Sequence, residues 1–268
     1  MRSVLRLLVS LALLVGAPLL AVAADSPVLR QVVKSGVLRV GMSGDQPPLN
    51  MKSKGGDIIG MEVDLANLLA SSMGVKLQIV EKPFAELLGA LEAGQVDLVM
   101  SGMTITPERN LRVAFVGPYF LSGKSVLTKS QKLAAITDAT PINDPSVRLA
   151  ALSGSTSQKF VETITPKAKL VAVSDYTEGV KSVIDDKADA LVADYPICVL
   201  SVLRHADAGL ATLMTPLTIE PIGIALPAND PLLLNLVQNY VTALQLTPAL
   251  EALRSKWFDD GSWLEQLP

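Results

Sequence analysis

D-L-V-M-S-G-M-T-I-T-P-E-R, residues 97 to 109, reads as a buried strand that runs through a hydroxyl-rich loop into the first turn of a helix. Leu98, Val99 and Met100 form a short apolar run suited to an interior strand. Thr106-Pro107-Glu108 is a helix start, with a hydroxyl at the N-cap, proline at the first helical position and an acid in the first turn. Arg109 follows at the third helical position, where the unpaired N–H groups and partial positive charge of the helix end disfavour a cation. Two readings of that arginine stand. It is a solvated side chain behind an ordinary cap, or it is half of an anion site. In the second reading its guanidinium fork grips both oxygens of a carboxylate, while Ser101, Gly102 and Thr104 supply hydroxyl and backbone donors.

Outward from this stretch the apolar periodicity alternates: strand 37–42, helix 62–73, strand 75–80, helix 84–92, strand 96–100 and helix 107–112. A second set follows Pro145: strand 147–152, helix 157–164, strand 170–173, helix 177–185 and strand 188–193. Alternation of this kind predicts an α/β fold with mostly parallel sheets. The sets echo one another. Residues 84–101 align without gaps on 176–193, matching Phe84 with Tyr176, Glu86 with Glu178 and Asp97 with Asp189. V-L-R-V-G-M-S-G (37–44) likewise echoes V-R-L-A-A-L-S-G (147–154). The echo is an internal repeat or the spacing that any two amphipathic units share. Either way it implies two lobes of one architecture.

Ligands of open α/β sheets bind beyond the carboxyl ends of the strands. Those ends are Ser43 to Gln46 and Ser101 to Thr104 in the first set, and Ser153 to Ser157 and Asp194 in the second. Asp194 closes the apolar run Ala190-Leu191-Val192-Ala193, and a carboxylate in such surroundings needs a partner. That partner is either internal, a loop N–H or a lysine, or it is a ligand ammonium. With Arg109 for a carboxylate and Asp194 for an ammonium, the complement is a free α-amino acid. Ser155 and Thr156 either donate to the same carboxylate or serve as the cap of the next helix.

Composition narrows the function further. Arg2 and Arg6, an apolar stretch from Leu7 to Leu20, and Ala21-Val22-Ala23-Ala24 form a secretory signal peptide, with cleavage expected after Ala23 or Ala24. Its apolar core is shorter than the roughly 20 residues of a spanning helix. Removing residues 1–24 takes away two of the 23 basic side chains and none of the 26 acidic ones, leaving a net charge of about −5. A mildly acidic chain with no basic run and few aromatics is a poor nucleic-acid binder. Cys198 is the single cysteine, so no intrachain disulfide forms even in an oxidising compartment. No hydrolase, metalloprotease, dinucleotide or phosphate-loop motif is present, His205 is expected in a surface turn, and no metal or cofactor is expected.

From about Gly36 onward the chain resembles the extracytoplasmic solute-binding proteins of polar amino-acid ABC transporters. The resemblance rests on V-L-R-V-G (37–41), G-M-E-V-D-L-A (60–66), V-D-L-V-M-S-G-M-T-I-T-P-E-R (96–109), G-P-Y-F (117–120), G-S-T-S (154–157), A-D-A-L-V-A-D (188–194), E-P-I-G-I-A-L-P (220–227) and K-W-F (256–258). It implies the two-lobed type II periplasmic-binding fold: residues 25–122 plus 220–268 as one lobe, 123–219 as the other, and a ligand in the cleft between them. It also implies an ABC permease as partner, a monomer, and a periplasmic location. By motif, Arg109 resembles the carboxylate-binding arginine, Gly102 and Thr104 its helpers, Thr156 a donor from the second lobe, and Asp194 the ammonium-binding aspartate. Gln46 stands where many members place an aromatic over the ligand side chain, and Ser43 where binders of basic amino acids place an acid, which argues against lysine or arginine as ligand. Phe84 is read either as an apolar wall of the cleft or as a core residue. The fold is shared by cyclohexadienyl dehydratases, which resemble this chain around S-G-D (43–45) and the M-S-G loop. Their general acid is a glutamate three residues after the position of Asp194, and here that residue is Ile197, which has no proton to donate. A third possibility is a sensory module presenting the same cleft to a membrane receptor.

Overall fold

The computed structural model describes residues 26–268; the signal peptide expected over residues 1–24 lies outside the described residues. In chain order the strands are β1 Val37–Met42, β2 Asp45–Gln46, β3 Asn50–Lys52, β4 Ile58–Ile59, β5 Lys76–Glu81, β6 Leu98–Val99 and β7 Ala114–Ser122. They continue with β8 Lys124–Thr128, β9 Arg148–Leu152, β10 Lys169–Val173, β11 Ala190–Asp194, β12 Ala211–Thr212 and β13 Glu220–Leu226. Two five-stranded sheets result, ordered β5-β1-β6-β13-β7 and β10-β9-β11-β8-β12, with a small β2-β3-β4 sheet beside the first. In each large sheet three parallel strands are extended by an antiparallel pair, β13 against β6 with β7 against β13 in one and β8 against β11 with β12 against β8 in the other. The crossovers between parallel strands are helical, as parallel pairing requires.

The periodicity reading is close for these crossovers. The helix expected over 62–73 is Met61–Ser72, and that expected over 177–185 is Tyr176–Ile184. The helix expected over 107–112 is the shorter Pro107–Asn110, the strand expected over 188–193 is Ala190–Asp194, and two further elements differ in form. The helix expected over 84–92 begins as a tight 3-10 turn, Phe84–Glu86, before the helix Leu87–Glu92. The strand expected over 96–100 narrows to Leu98–Val99, because β6 is laddered to β1 only through two residues and to β13 through one. Its flanks stay tied by single bonds, Asp97 N–H to the Arg39 carbonyl and Met100 N–H to that of Gly41.

The two halves repeat one another in detail. The Arg39 backbone N–H and Nε donate to Asp97 Oδ2 at 2.8 and 3.2 Å, and Nη2 donates to Oδ1 at 2.6 Å. Arg148 makes the same three bonds to Asp189, at 2.7, 3.1 and 2.8 Å. Each arginine uses Nη1 to close the turn before its aspartate, at the carbonyls of Gln95 and Asp186. Asp97 and Asp189 therefore correspond as the alignment has them. The arginines correct the second echo, which pairs Val37 with Val147, by one residue.

The chain passes between the large sheets twice, from Ser122 to Lys124 and back between Thr212 and Glu220. The two passages lie against each other: a Cβ on Gly123 would come within 2.1 Å of the Thr218 carbonyl oxygen, so glycine is needed there. An apolar cluster spans the divide, joining Phe84, Leu87 and Val96 to Tyr176, Leu191 and Ile197. Cys198 lies within it, and burial pushes its thiol up to about 12, so it is an inert core residue.

Candidate functional site: a cleft around Arg109 and Asp194

Loops from both halves meet above the strand ends. Thr106 caps the Pro107–Asn110 helix, its side chain accepting from the Arg109 N–H, as the sequence predicts. The Arg109 guanidinium then reaches two loops at once, donating to the Thr104 carbonyl at 2.8 Å and to the Gly154 carbonyl at 3.2 Å. It stands 5.7 Å over the Phe84 ring, near enough for a cation–π contact. Burial pulls this guanidinium below its ordinary value, while Glu220 and Asp194 act to hold it up. The Thr104 and Thr156 hydroxyls face one another at 3.3 Å, and the Tyr176 N–H donates to Asp45 Oδ2 at 3.0 Å. Arg109, Thr104, Thr156, Phe84 and Asp194 are thus brought to one place, with the two halves closed upon each other.

Other expected donors are spent on holding the loop in shape. Ser101 Oγ accepts from the Ser43 N–H at 2.9 Å. The Gly102 N–H donates to Glu62 Oε1 at 2.7 Å. Gly102 needs to be glycine twice over, since its φ is +54° and a Cβ would fall 2.0 Å from Gln46 Oε1. Gln46 itself is buried and donates to the Ser101 carbonyl at 3.0 Å, so it does not take the place of a stacking aromatic in the cleft. Ser155 is the N-cap of the Thr156–Ile164 helix, accepting from the Ser157 and Gln158 N–H groups and donating to the Leu152 carbonyl. These four engagements share one cause: a loop that must hold its carbonyls and N–H groups in fixed directions satisfies its own polar atoms first.

Three groups here are not singled out by the sequence reading. Glu62 is fully buried beneath the Gly102 loop, accepting from Gly102, from Tyr119 Oη and from Asn50 Nδ2 at 2.5 Å. Burial raises its carboxyl above the ordinary value, and those three donors work the other way. It sits in the first turn of its helix, so it reads in sequence as a helix-favouring acid. Lys124 is the partner of Asp194, its Nζ 2.6 Å from Oδ1, with both side chains buried. Asp194 thus has an internal lysine on Oδ1, and no hydrogen bond occupies Oδ2. Glu220 Oε2 lies 3.8 Å from the same Nζ.

Asp45 is the third. Burial raises its carboxyl above the ordinary carboxylate value of 3.8, against the lowering by Ser43 and the Tyr176 N–H, and Oδ1 has no partner. A proton is therefore held more tightly when the halves are closed, provided that opening wets this carboxyl. Stability of the closed form should be fully present below pH 3.8 and fall as pH rises through the raised value. Asp45→Asn should remove that loss, and scattering of ligand-free protein at pH 5 and pH 8 checks it. A radius of gyration equally pH-dependent in wild type and variant would contradict the assignment.

The open space between the halves, about 790 Å³, is bordered by Ser43, Asp45, Phe84, Tyr176 and Ile197. Arg109 and Asp194 are not among the residues that border it. Phe84 and Tyr176, equivalent in the repeat, face it from opposite halves.

Comparison with known proteins accounts for this architecture. Residues 38–260 match the family of bacterial extracellular solute-binding proteins, family 3. The chain belongs to that family. It is similar to the cyclohexadienyl dehydratase of Pseudomonas aeruginosa, 32% identical over 193 residues covering 72% of this chain and 71% of that protein. It is similar also to the L-cystine-binding protein TcyJ of Escherichia coli, 26% identical over 238 residues covering 88% and 87%. Among solved structures, a binding component of an ABC transporter from Wolinella succinogenes, complexed with lysine, aligns with a TM-score of 0.81 at 35% identity. That alignment covers 86% of this chain and 99% of the other. The fold is the two-lobed type II periplasmic-binding fold of this family, with one large sheet in each lobe.

Proposed function

We propose that this protein captures a free α-amino acid outside the inner membrane and delivers it to an ABC permease by closing its lobes. The observation that carries the reading is Arg109, a guanidinium poised between the lobes on the Thr104 and Gly154 carbonyls, with the buried acid Asp194 among its charged neighbours. A ligand carboxylate would draw the guanidinium fork to itself, and Thr104 and Thr156 would turn their hydroxyls from each other to the ligand. Asp194 keeps Oδ2 for an ammonium while Lys124 holds Oδ1. The ligand side chain would extend toward Phe84, Tyr176 and the open space beyond. The names of the relatives support an amino acid as ligand class, the family supports an extracytoplasmic site of action, and the Arg2-to-Ala24 leader supports export followed by cleavage near Ala23 or Ala24. We take the working unit to be a monomer.

Neither half of the site satisfies both ends of a zwitterion alone, so binding should draw the lobes together. Screening the common L-amino acids by melting temperature and small-angle scattering tests this. The right one should raise the melting point by mass action, about 2.7 kcal/mol of stabilisation at a hundredfold excess over Kd, and reduce the radius of gyration. A flat response across the panel would sink the reading.

The similarity to a dehydratase keeps a second reading in play. Against it stands Ile197, which is buried on the helix that follows Asp194 and carries no acid. Incubation with prephenate and arogenate decides between them: a binder leaves both intact, and turnover would make the protein an enzyme.

A further inference from the structure

Asp45 is an acid that the closed lobes leave half-used. Its Oδ2 accepts the Tyr176 N–H from the other lobe at 3.0 Å, while Oδ1 is buried without a hydrogen-bond partner. A buried polar atom in that state carries a desolvation cost that a bound donor would remove. Burial raises this carboxyl; Ser43 and the Tyr176 N–H offset part of the rise, and the neighbouring Asp175, a second acid, adds to it. The cations of the surrounding surface do not answer it. Lys52 is held by Glu81 and Lys181 by Asp185, each at 2.8 Å, and Lys82, which borders the same open space, makes no bond to Asp45.

Tyr176 ties Asp45 to the cleft around Arg109 and Asp194. Its backbone N–H is on Asp45, and its hydroxyl, pushed up first by burial, is pushed up also by the charges of Asp194 and Asp45. A tyrosine side chain therefore spans from Asp45 into the field of Asp194. An extended lysine or arginine side chain is as long or longer. Asp45, Phe84 and Tyr176 all border the open space toward which a ligand side chain would extend. With the α-ammonium on Asp194 Oδ2 and the side chain laid between Phe84 and Tyr176, the far end of a basic amino acid would meet Asp45 Oδ1 as the lobes close on it.

We propose that Asp45 is a specificity-determining residue: its unpartnered Oδ1 receives a cationic group at the end of the ligand side chain, so the cleft selects basic α-amino acids over neutral and acidic ones. This rests on the amino-acid reading above and names the ligand class within it. It reverses the expectation drawn from Ser43, because the acid stands two residues farther along the chain, on β2.

The test is calorimetry of wild type, Asp45→Asn and Asp45→Ser with the common L-amino acids and two neutral isosteres, L-citrulline for L-arginine and L-norleucine for L-lysine. Asp45→Asn keeps the shape and an acceptor for the Tyr176 N–H without the charge, and Asp45→Ser stands in should the first variant fail to fold. The quantity read is the affinity for a basic amino acid relative to its isostere, a ratio in which the shared α-carboxylate, the α-ammonium and general damage cancel. Wild type should favour the basic member of at least one pair by about thirtyfold or more, and the substitutions should narrow that gap by about tenfold or more. Wild-type protein that binds a neutral or acidic amino acid as tightly as any basic one overturns the proposal, as does a gap unchanged in the variants. Those results leave amino-acid binding intact. Absence of binding by wild type to every amino acid overturns the functional reading itself, and this proposal with it.

Discussion

Arg109→Ala should lower the affinity for the bound amino acid by roughly 2–5 kcal/mol, a factor of about 30 to several thousand in Kd. The guanidinium is the cation the two lobes share, bonded to Thr104 on one side and Gly154 on the other. Its loss leaves a ligand carboxylate desolvated without a charged partner, and no nearby donor replaces it. Ser101 and Gly102 are bound to Ser43 and Glu62, and Ser155 is bound to its helix. Folding should survive, because the Arg109 side chain makes only two bonds, both to carbonyls that water also satisfies. Titration of the variant with the ligand found for wild type measures the loss. Affinity within about threefold of wild type would make Arg109 a cap residue with a long side chain and no ligand.

Glu62→Ala should cost about 3 kcal/mol or more of folding stability, the largest effect expected from one side chain outside the apolar core. Three buried donors, Gly102 N–H, Tyr119 Oη and Asn50 Nδ2, would lose their acceptor together. Each unmet group carries its own desolvation penalty, and the Gly102 loop that leads to Arg109 would lose its support from below. Glu62→Gln should cost less, since an amide oxygen still accepts from part of the set. The pH dependence separates the two causes. A carboxyl raised by burial contributes stability fully below its ordinary value of 4.5 and loses it as pH rises through the raised value, so the glutamine variant should show a flatter decline above pH 4.5. Denaturant unfolding of the three proteins at several pH values reads both effects. A Glu62→Ala midpoint equal to that of wild type would mean that water supplies what Glu62 now gives.

The two-lobe plan was legible because each lobe is written locally. Strand β1 matches its expected bounds residue for residue, and helices such as Met61–Ser72 and Tyr176–Ile184 shift by about one residue, since a 3.6-residue apolar stripe and a cap are properties of adjacent residues. Local periodicity does not reveal the antiparallel strands β7, β8 and β13. Their partners lie far along the chain, Glu220 against Ser122 and Asp194 against Lys124, and nothing beside them in sequence announces the pairing. The echo of 37–44 in 147–154 lies one residue out of step for the same reason: similarity of type locates a repeat, whereas the Arg39–Asp97 and Arg148–Asp189 bonds locate its register.

At the site, the sequence by itself determined that Arg109 and Asp194 end apolar strands or open helices, positions where a charge is costly unless it has a partner. The tertiary structure alone decided which partner. Lys124 lies 70 residues from Asp194 and reads in sequence as one more basic side chain, yet strand pairing sets the two opposite each other and makes a buried ion pair of them. Gln46 and Gly102 find distant partners in the same way, one turning its amide inward to the Ser101 carbonyl and the other giving its N–H to Glu62. Periodicity and capping are short-range and survive in a linear string. The pairing of buried charges and the satisfaction of loop donors depend on which distant segments share a low-dielectric interior, and only the folded chain specifies that.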